Sequence, residues 1–361
     1  MIRVSAPGKL YLAGEYAVVE PGHRAVLVAV DRFITVTLSR AHPDRREGRI
    51  TSTLYATGAR AWRRRPGDDV AEADGGGVDY VLSAIRVVER IAAQAGRPLC
   101  YFDLEVASRL DDGSGRKLGL GSSAAVTVAT VRAVAQWYRL PVDDLTVFRM
   151  ALLASDAVDP VGSGGDLAAS ALAGWVAYRS PDRSWLRRRR RSTPLAELVR
   201  MPWPGLDVRR LAPPPGLSLQ VGWTGTPAST SGLVSAMRAR HAGSADYARF
   251  LLRSQACVNA LVWALRTGDL DAVWRRVAEN RRLLCGLGRA SGVAIETPRL
   301  RRLVRIAHEF GASAKSSGAG GGDCGIALCP AGTDIPALRA AWEAAGIQPL
   351  DLSVHHHEET L

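Results

Sequence analysis

Lysine is almost missing from this chain of 361 residues: of its 47 basic side chains, only Lys9, Lys117 and Lys315 are lysine. Cysteine is scarce as well. The five cysteines (Cys100, Cys257, Cys285, Cys324, Cys329) are odd in number and form no Cys-x-x-Cys pair. That excludes a disulfide framework and a zinc-ribbon site, and it predicts a reducing, cytoplasmic setting. No apolar run is long enough to span a membrane, so no membrane partner is expected, and Met1-Ile2-Arg3-Val4-Ser5 lacks the apolar core of a secretion signal. The chain has no internal repeat. A net charge of +12 raises nucleic acid as a partner. Aromatic residues are not interleaved with the arginines as stacking platforms, and zinc-finger or homeodomain spacing is absent, so no specific nucleic-acid role is expected.

What is present is a globular composition, 47% hydrophobic and 23% charged, in a chain long enough for two domains. Strands are predicted at Ile2 to Ser5, Ala25 to Val30 and Phe33 to Ser39, and an exposed excursion over 41–76. A helical stripe over 78–95 ends at Gly96 and Pro98. A strand over 99–106 follows, then helices over 122–138 and 143–158, and a Gly/Ser loop opening into a small-residue helix over 162–173. Prolines and arginines crowd 181–216, which predicts a boundary between an N-terminal unit (1–200) and a C-terminal unit (217–355). The C-terminal unit reads as strand 218–223, several long helices up to Phe310, strand 324–329, helix 336–345 and strand 348–354. Arg63 to Arg65 and Arg187 to Arg191 read as loops, the second as a solvated linker. Arg299, Arg301, Arg302 and Arg305 read as one solvated helix face, and His355 to His357 as a solvated terminus.

Each lysine stands in or beside a glycine-rich run: Ala6-Pro7-Gly8-Lys9, Lys117-Leu118-Gly119-Leu120-Gly121-Ser122-Ser123-Ala124-Ala125, and Lys315-Ser316-Ser317-Gly318-Ala319-Gly320-Gly321-Gly322-Asp323. A lysine is a compact, mobile point charge that can follow a moving phosphate, and glycine turns let backbone N–H groups close around an anion. Together they point to phosphate chemistry. In the second run the glycines bend the chain and the serines open an apolar helix, whose N-terminus favours an anion. It is not the Gly-x-x-x-x-Gly-Lys-Ser/Thr loop, because Lys117 precedes the glycines. Taken alone, the run would also suit a plain glycine turn with a serine cap, and Asp166 would suit a helix N-cap. Thr224, Ser229 and Thr230 suit either substrate oxygens or a helix start, and Asp323 either a turn or a ligand.

Four segments in this order resemble the small-molecule kinases named for galactokinase, homoserine kinase, mevalonate kinase and phosphomevalonate kinase (the GHMP kinases). They are Ala6 to Tyr16, Gly119 to Ala125, Gly162-Ser163-Gly164-Gly165-Asp166-Leu167-Ala168-Ala169-Ser170, and Ser317 to Asp323. Within the family, Gly222 to Thr230, the Gly-Gly-Gly-Asp-Cys-Gly run and Lys117 are most similar to the phosphomevalonate kinases. The resemblance implies an α+β, two-domain fold. The N-terminal domain would carry a left-handed βαβ unit, the C-terminal domain would be ferredoxin-like, and the site would lie in the cleft between them. It implies ATP and Mg²⁺ as cofactors, with (R)-5-phosphomevalonate as acceptor. Mevalonate or another small alcohol is the alternative acceptor, and a non-catalytic ligand-binding homologue a second alternative. Lys9 and Asp166 would be catalytic. Lys117, Gly119, Leu120, Gly121, Ser122, Ser123 and Ala124 would hold the nucleotide, with Ser123 on the metal. Lys9, Ser163, Gly164, Ser317, Gly318, Ala319 and Gly320 would face the substrate. Some relatives carry a metal-binding glutamate on the preceding helix; here that helix offers Ser155, Asp156 and Asp159 instead.

Overall fold

The computed structural model describes all residues except 54–57, 65–70, 74–79, 114, 227–229, 242 and 357–361. The readings placed on Arg65, Val78, Ser229 and His357 therefore lie outside the described residues, as does the side chain of Thr230.

The N-terminal half contains β1 (Ile2–Ala13), β2 (Arg24–Arg40), β3 (Gly48–Ser52), β4 (Arg60–Arg64), β5 (Ala71–Ala73), α1 (Tyr80–Gln94), β6 (Phe102–Ser108), α2 (Ser122–Trp137), α3 (Asp144–Asp156), α4 (Gly165–Leu172), β7 (Trp175–Arg179), α5 (Arg183–Ser192), α6 (Leu195–Leu198) and β8 (Asp207–Leu211). Eight strands form one sheet, ordered β5-β4-β3-β6-β2-β7-β8, with β1 paired to β2. The long β2 organises it. One edge of β2 carries β1 along its length; the other is shared by β7 at its start and β6 at its end. β3 and β6 run parallel, the other pairs antiparallel. Helices α1 to α4 supply the apolar layer, their Val, Leu and Ala faces buried against the sheet.

The two opening strands are longer than the alternation predicts. A register shift between Pro7 and Gly8 breaks the period of two inside β1, so the pattern reads as a strand followed by a loop. The first four residues of β1 alternate between half-buried and exposed, whereas its last eight are all buried. The arginine run 187–191 is not a loop. Asp182 caps α5 by accepting from the Trp185 amide at 2.9 Å, Leu186 is buried, and Arg190 donates to the Leu153 carbonyl at 2.9 Å. The chain end is also tied down: Gly174 N–H donates to the His355 carbonyl and His355 N–H to that of Ala29.

The C-terminal half contains β9 (Ser218–Trp223), α7 (Thr230–His241), α8 (Ala245–Thr267), α9 (Leu270–Ser291), α10 (Pro298–Glu309), β10 (Ser313–Ser316), β11 (Cys324–Cys329), α11 (Ile335–Ala344) and β12 (Gln348–Leu350). Its sheet is antiparallel throughout, in the order β10-β11-β9-β12. Helices between the first and second strands and between the third and fourth make this the ferredoxin-like βαββαβ pattern. Trp342, Leu303 and Leu338 fill the layer between this sheet and α10 and α11.

Candidate active site

The bulge in β1 is what brings the first motif to the second. With the register broken after Pro7, the Lys9 amide donates to the Leu120 carbonyl at 2.8 Å and ties β1 to the glycine-rich loop. The Lys9 side chain lies across that loop, 8% exposed, with Nζ 3.4 Å from the Gly119 carbonyl and 5.5 Å from the Tyr11 ring centre. Gly121 has φ +80°, and a Cβ there would sit 2.8 Å from Lys9 Cε. Gly119 has φ +76°, and a Cβ there would sit 2.5 Å from Asp323 Cγ. The two missing side chains are thus the space that Lys9 and Asp323 occupy.

Gly121 is also the N-cap of α2 and brings no side-chain oxygen, so no side chain caps that helix. Its first N–H groups remain to be met by an anion, together with the positive end of the helix dipole. The start of α4 differs: the Gly165 amide donates to Ser163 Oγ at 3.2 Å and the Leu167 amide to Asp166 Oδ1 at 3.0 Å. Gly164 is its N-cap, again without a side-chain acceptor, and Asp166 stands one residue inside the helix rather than at the cap. Ser163 is fixed from two sides: its carbonyl accepts from Tyr178 Oη at 2.6 Å, and its Oγ lies 2.9 Å from Tyr11 Oη. The uncapped start of α2 and the Ser163 to Asp166 turn that opens α4 therefore border one space.

That space is a cavity of about 360 Å³. Its wall includes Lys9, Lys117, Gly119, Leu120, Gly121, Ser122, Ser123, Ser163, Asp166, Gly318 and Ala319 from the sequence reading. It also includes Tyr11, Glu15, Tyr16, Tyr80, Asp159 and Asp323. A larger depression of about 690 Å³ on the C-terminal half contains none of the glycine-rich motif residues. The chemistry, not the size, identifies the smaller one.

Four residues of the sequence reading do not line the cavity. Ala124 is packed inside α2, and Gly164 sits between Leu152 and Tyr178, which leave no room for a side chain. Ser317 is buried and stitches β1 to the third motif, accepting from the Tyr11 amide at 2.8 Å and donating to the Tyr11 carbonyl at 3.1 Å. Gly320 is pressed against the Ile295 carbonyl, which a Cβ would overlap. The third lysine is not a phosphate ligand either: Lys315 is fully buried in an ion pair with Glu15 and also donates to the Ser316 carbonyl at 2.5 Å. Glu15 keeps its second oxygen buried without a partner among the described residues.

The open alternatives at Thr224 and Asp323 resolve together. Thr224 is buried, and its amide and hydroxyl both donate to the Asp323 carbonyl, at 2.9 and 3.0 Å. Asp323 adopts φ +50° and faces the cavity over Gly119. Thr224 holds the turn, and Asp323 presents a side chain from it. Of the alternatives to the absent glutamate, Asp156 is paired with Arg183 at 3.0 Å, whereas Asp159 lines the cavity.

Tyrosines report the field in the site. Burial, and then the charge of Asp166, raise the Tyr11 hydroxyl well above its ordinary pKa. Burial followed by Asp159 and Asp166 raises that of Tyr80, which stands in the same wall as Ser123. These tyrosines stay neutral and serve as hydrogen-bonding walls. Sequence reasoning missed them because a tyrosine in a strand or at a helix start carries no motif of its own.

Two family profiles match the chain: the GHMP kinases N terminal domain over residues 79–174, and the GHMP kinases C terminal over 261–348. A phosphomevalonate kinase of Streptomyces sp. (strain CL190) is 45% identical over 359 residues, covering 96% of each chain. A solved Listeria innocua protein superposes with a TM-score of 0.90 at 37% identity, covering 97% of each chain. The phosphomevalonate kinase of Streptococcus pneumoniae, solved with phosphomevalonate and AMPPNP, superposes with a TM-score of 0.85 at 31% identity, over 98% of this chain and 100% of that one. The chain belongs to the GHMP kinases and has their two-domain fold.

Proposed function

We propose that this chain transfers the γ-phosphoryl group of ATP to the phosphate of (R)-5-phosphomevalonate, giving 5-diphosphomevalonate and ADP. The observation that carries the proposal is the convergence of Lys9, the Gly119 to Ser123 loop, Ser163, Asp166 and Asp323 on one cavity, in a chain so similar to a phosphomevalonate kinase. Phosphoryl transfer asks mainly for positioning and charge stabilisation. Both reactants are polyanions, so the first barrier is bringing two phosphates together. The uncapped start of α2 and the ammonium groups of Lys9 and Lys117 offset that repulsion.

Lys9 is the proposed catalytic cation: it is held by the bulge below and Gly121 beside it, and its contact with the Gly119 carbonyl leaves donors for a transferring phosphoryl group. Asp166 is its proposed partner. The acceptor phosphate has a second pKa near 6 and is largely ionised at neutral pH, so no strong base is needed. Asp166 then works by aligning Lys9 and the acceptor. Ser163, Gly318 and Ala319 are assigned to the acceptor side, and Lys117, Ser122 and Ser123 to the nucleotide.

The wall fits Mg²⁺ in its donor set. Glu15, neutralised by Lys315, aside, the cavity carries the carboxylates of Asp159, Asp166 and Asp323 against two lysines, so a polyphosphate would bring further negative charge to a wall already short of cations. Among the described residues no group of three His, Cys, Asp or Glu side chains could hold a metal unaided. That suits an ion that takes one or two carboxylates and completes its shell with phosphates and water. Ser123, Asp159 and Asp166 would hold it, and when bound it shields the β- and γ-phosphates.

The same proposal includes a cytoplasmic setting, in keeping with five free cysteines. It also includes the division into units 1–200 and 217–355, supported by the change from one sheet to the other between β8 and β9, although β8 extends the first sheet to Leu211. Phosphorus NMR of a reaction with ATP and 5-phosphomevalonate tests the chemistry. The coupled resonances of a new organic diphosphate are expected; a phosphorylated hydroxyl, with the 5-phosphate unchanged, would overturn the proposal.

A further inference from the structure

The larger depression, about 690 Å³, lies where α9 ends and α10 begins, and it is strongly basic. Arg281, Arg282, Arg289 and Arg301 line it against a single carboxylate, Glu296. Glu296 is committed to Arg281, at 2.6 and 3.0 Å, and to Arg301 at 3.4 Å. Arg282 and Arg289 have no carboxylate partner among the described residues, and both are exposed. The start of α10 is capped by Thr297, which accepts from the Leu300 amide at 3.3 Å, so the arginines alone supply the positive charge. The floor is apolar, formed by Val293 and Ile295.

That floor is the back of the active-site wall. The Ile295 carbonyl accepts from the Gly321 amide at 3.0 Å, and Gly320 is pressed against the same carbonyl. Two residues earlier in the same loop, Gly318 and Ala319 line the catalytic cavity, and the Ala319 carbonyl accepts from Tyr16 Oη at 2.6 Å. Val293, Ile295, Ala319 and Tyr16 belong to one buried apolar cluster. The 293–296 segment and the loop are in direct contact, with the Ile295 carbonyl against Gly320 and Gly321.

We propose that this depression is a second anion site, built for a small multivalent phosphate such as a diphosphate, and that its occupancy is transmitted through Ile295 to the Gly318 to Gly322 loop. Arg282 and Arg289 are the groups free to take the anion, with Arg281 and Arg301 presenting the edges of their paired guanidiniums.

Calorimetry with inorganic diphosphate as the probe tests the site directly, on full-length protein whose catalytic cavity is saturated with AMPPNP. One further diphosphate should bind to the parent chain. Binding should weaken at least tenfold in Arg282→Ala/Arg289→Ala, whose exposed substitutions leave the thermal midpoint unchanged. Inorganic phosphate, run in parallel, separates a diphosphate requirement from simple anion affinity by binding at least tenfold more weakly. Absence of a second binding event, or equal binding in the double variant, overturns the site. Coupling is read separately, as a change of about fivefold or more in the KM of either substrate with diphosphate in the parent but not in the double variant. Binding without that change overturns the transmission through Ile295. The calorimetric arm does not depend on which acceptor the enzyme phosphorylates.

Discussion

Replacing Gly121 with alanine separates the fold's requirement for this residue from the active site's. The backbone there has φ +80°, in the left-handed region, where an alanine costs about 1–2 kcal/mol. The new methyl would also lie 2.8 Å from Lys9 Cε, 3.2 Å from Cγ and 3.5 Å from Cδ. Ordinary carbon contacts are about 3.5–4.0 Å, so the end of the lysine must retreat by about an ångström. The move is cheap for stability, because a flexible side chain gives way. It is expensive for catalysis: an ångström of misplacement at a reacting centre costs about 100-fold, or about 2.7 kcal/mol at 1.36 kcal/mol per decade. Gly96→Ala is the matched control. Its φ is +70°, but nothing lies within 4 Å of the added Cβ. Both variants should lose about the same stability in chemical denaturation. Only Gly121→Ala should lose kcat in a coupled ADP-release assay. If Gly121→Ala keeps kcat within about threefold of Gly96→Ala, the position of Lys9 is not set by this glycine and the geometry drawn for the site is wrong.

Other expectations follow from the same contacts. Lys315→Met leaves Glu15 charged and buried, and should cost about 3–5 kcal/mol by denaturation; Lys315→Met/Glu15→Gln should recover part of it, and an equal loss in both variants would refute the pairing. Asp166→Asn should lose activity at every pH if Asp166 aligns Lys9; full recovery as pH rises would make it an obligatory base instead. Asp182→Ala should cost about 1 kcal/mol through the cap of α5, with kcat unchanged. Burial pushes the Glu296 carboxyl up, but its bonds to Arg281 outweigh this and hold it below the ordinary 4.5. A depressed carboxyl stabilises the fold above its unfolded pKa, and this contribution is lost as pH falls through the folded value. Arg281→Gln should therefore flatten the loss of stability between pH 4.5 and more acid conditions, which denaturation across that range would read.

Much of the site was readable because its chemistry is carried by contiguous runs. Glycines that must take positive φ, serines that open a helix and a lone lysine beside each run leave marks in the sequence that need no tertiary information. The bounds of β9 and β11 were equally plain, since each is a short apolar run between glycines or prolines. What escaped notice depended on packing between distant segments. Lys315 carries the same local signature as Lys9, yet it faces inward to Glu15 of β1's continuation, a pairing across 300 positions. Ser317 resembles a phosphate ligand by composition, but the Tyr11 backbone takes both its donor and its acceptor capacity. The arginine run of α5 looks too charged to fold, and only the Asp182 cap and the buried Leu186 make it a helix. Tyr80, at the start of α1, joins the cavity wall from a segment with no motif at all.

The substrate assignment is tested most directly by kcat/KM with Mg-ATP for 5-phosphomevalonate and for mevalonate under identical conditions. A ratio of several orders of magnitude in favour of 5-phosphomevalonate is the expected result, because the unphosphorylated alcohol would bring no acceptor phosphate to the cavity's cations. Equal or better turnover of mevalonate would contradict it, and would mean that those groups serve the nucleotide alone.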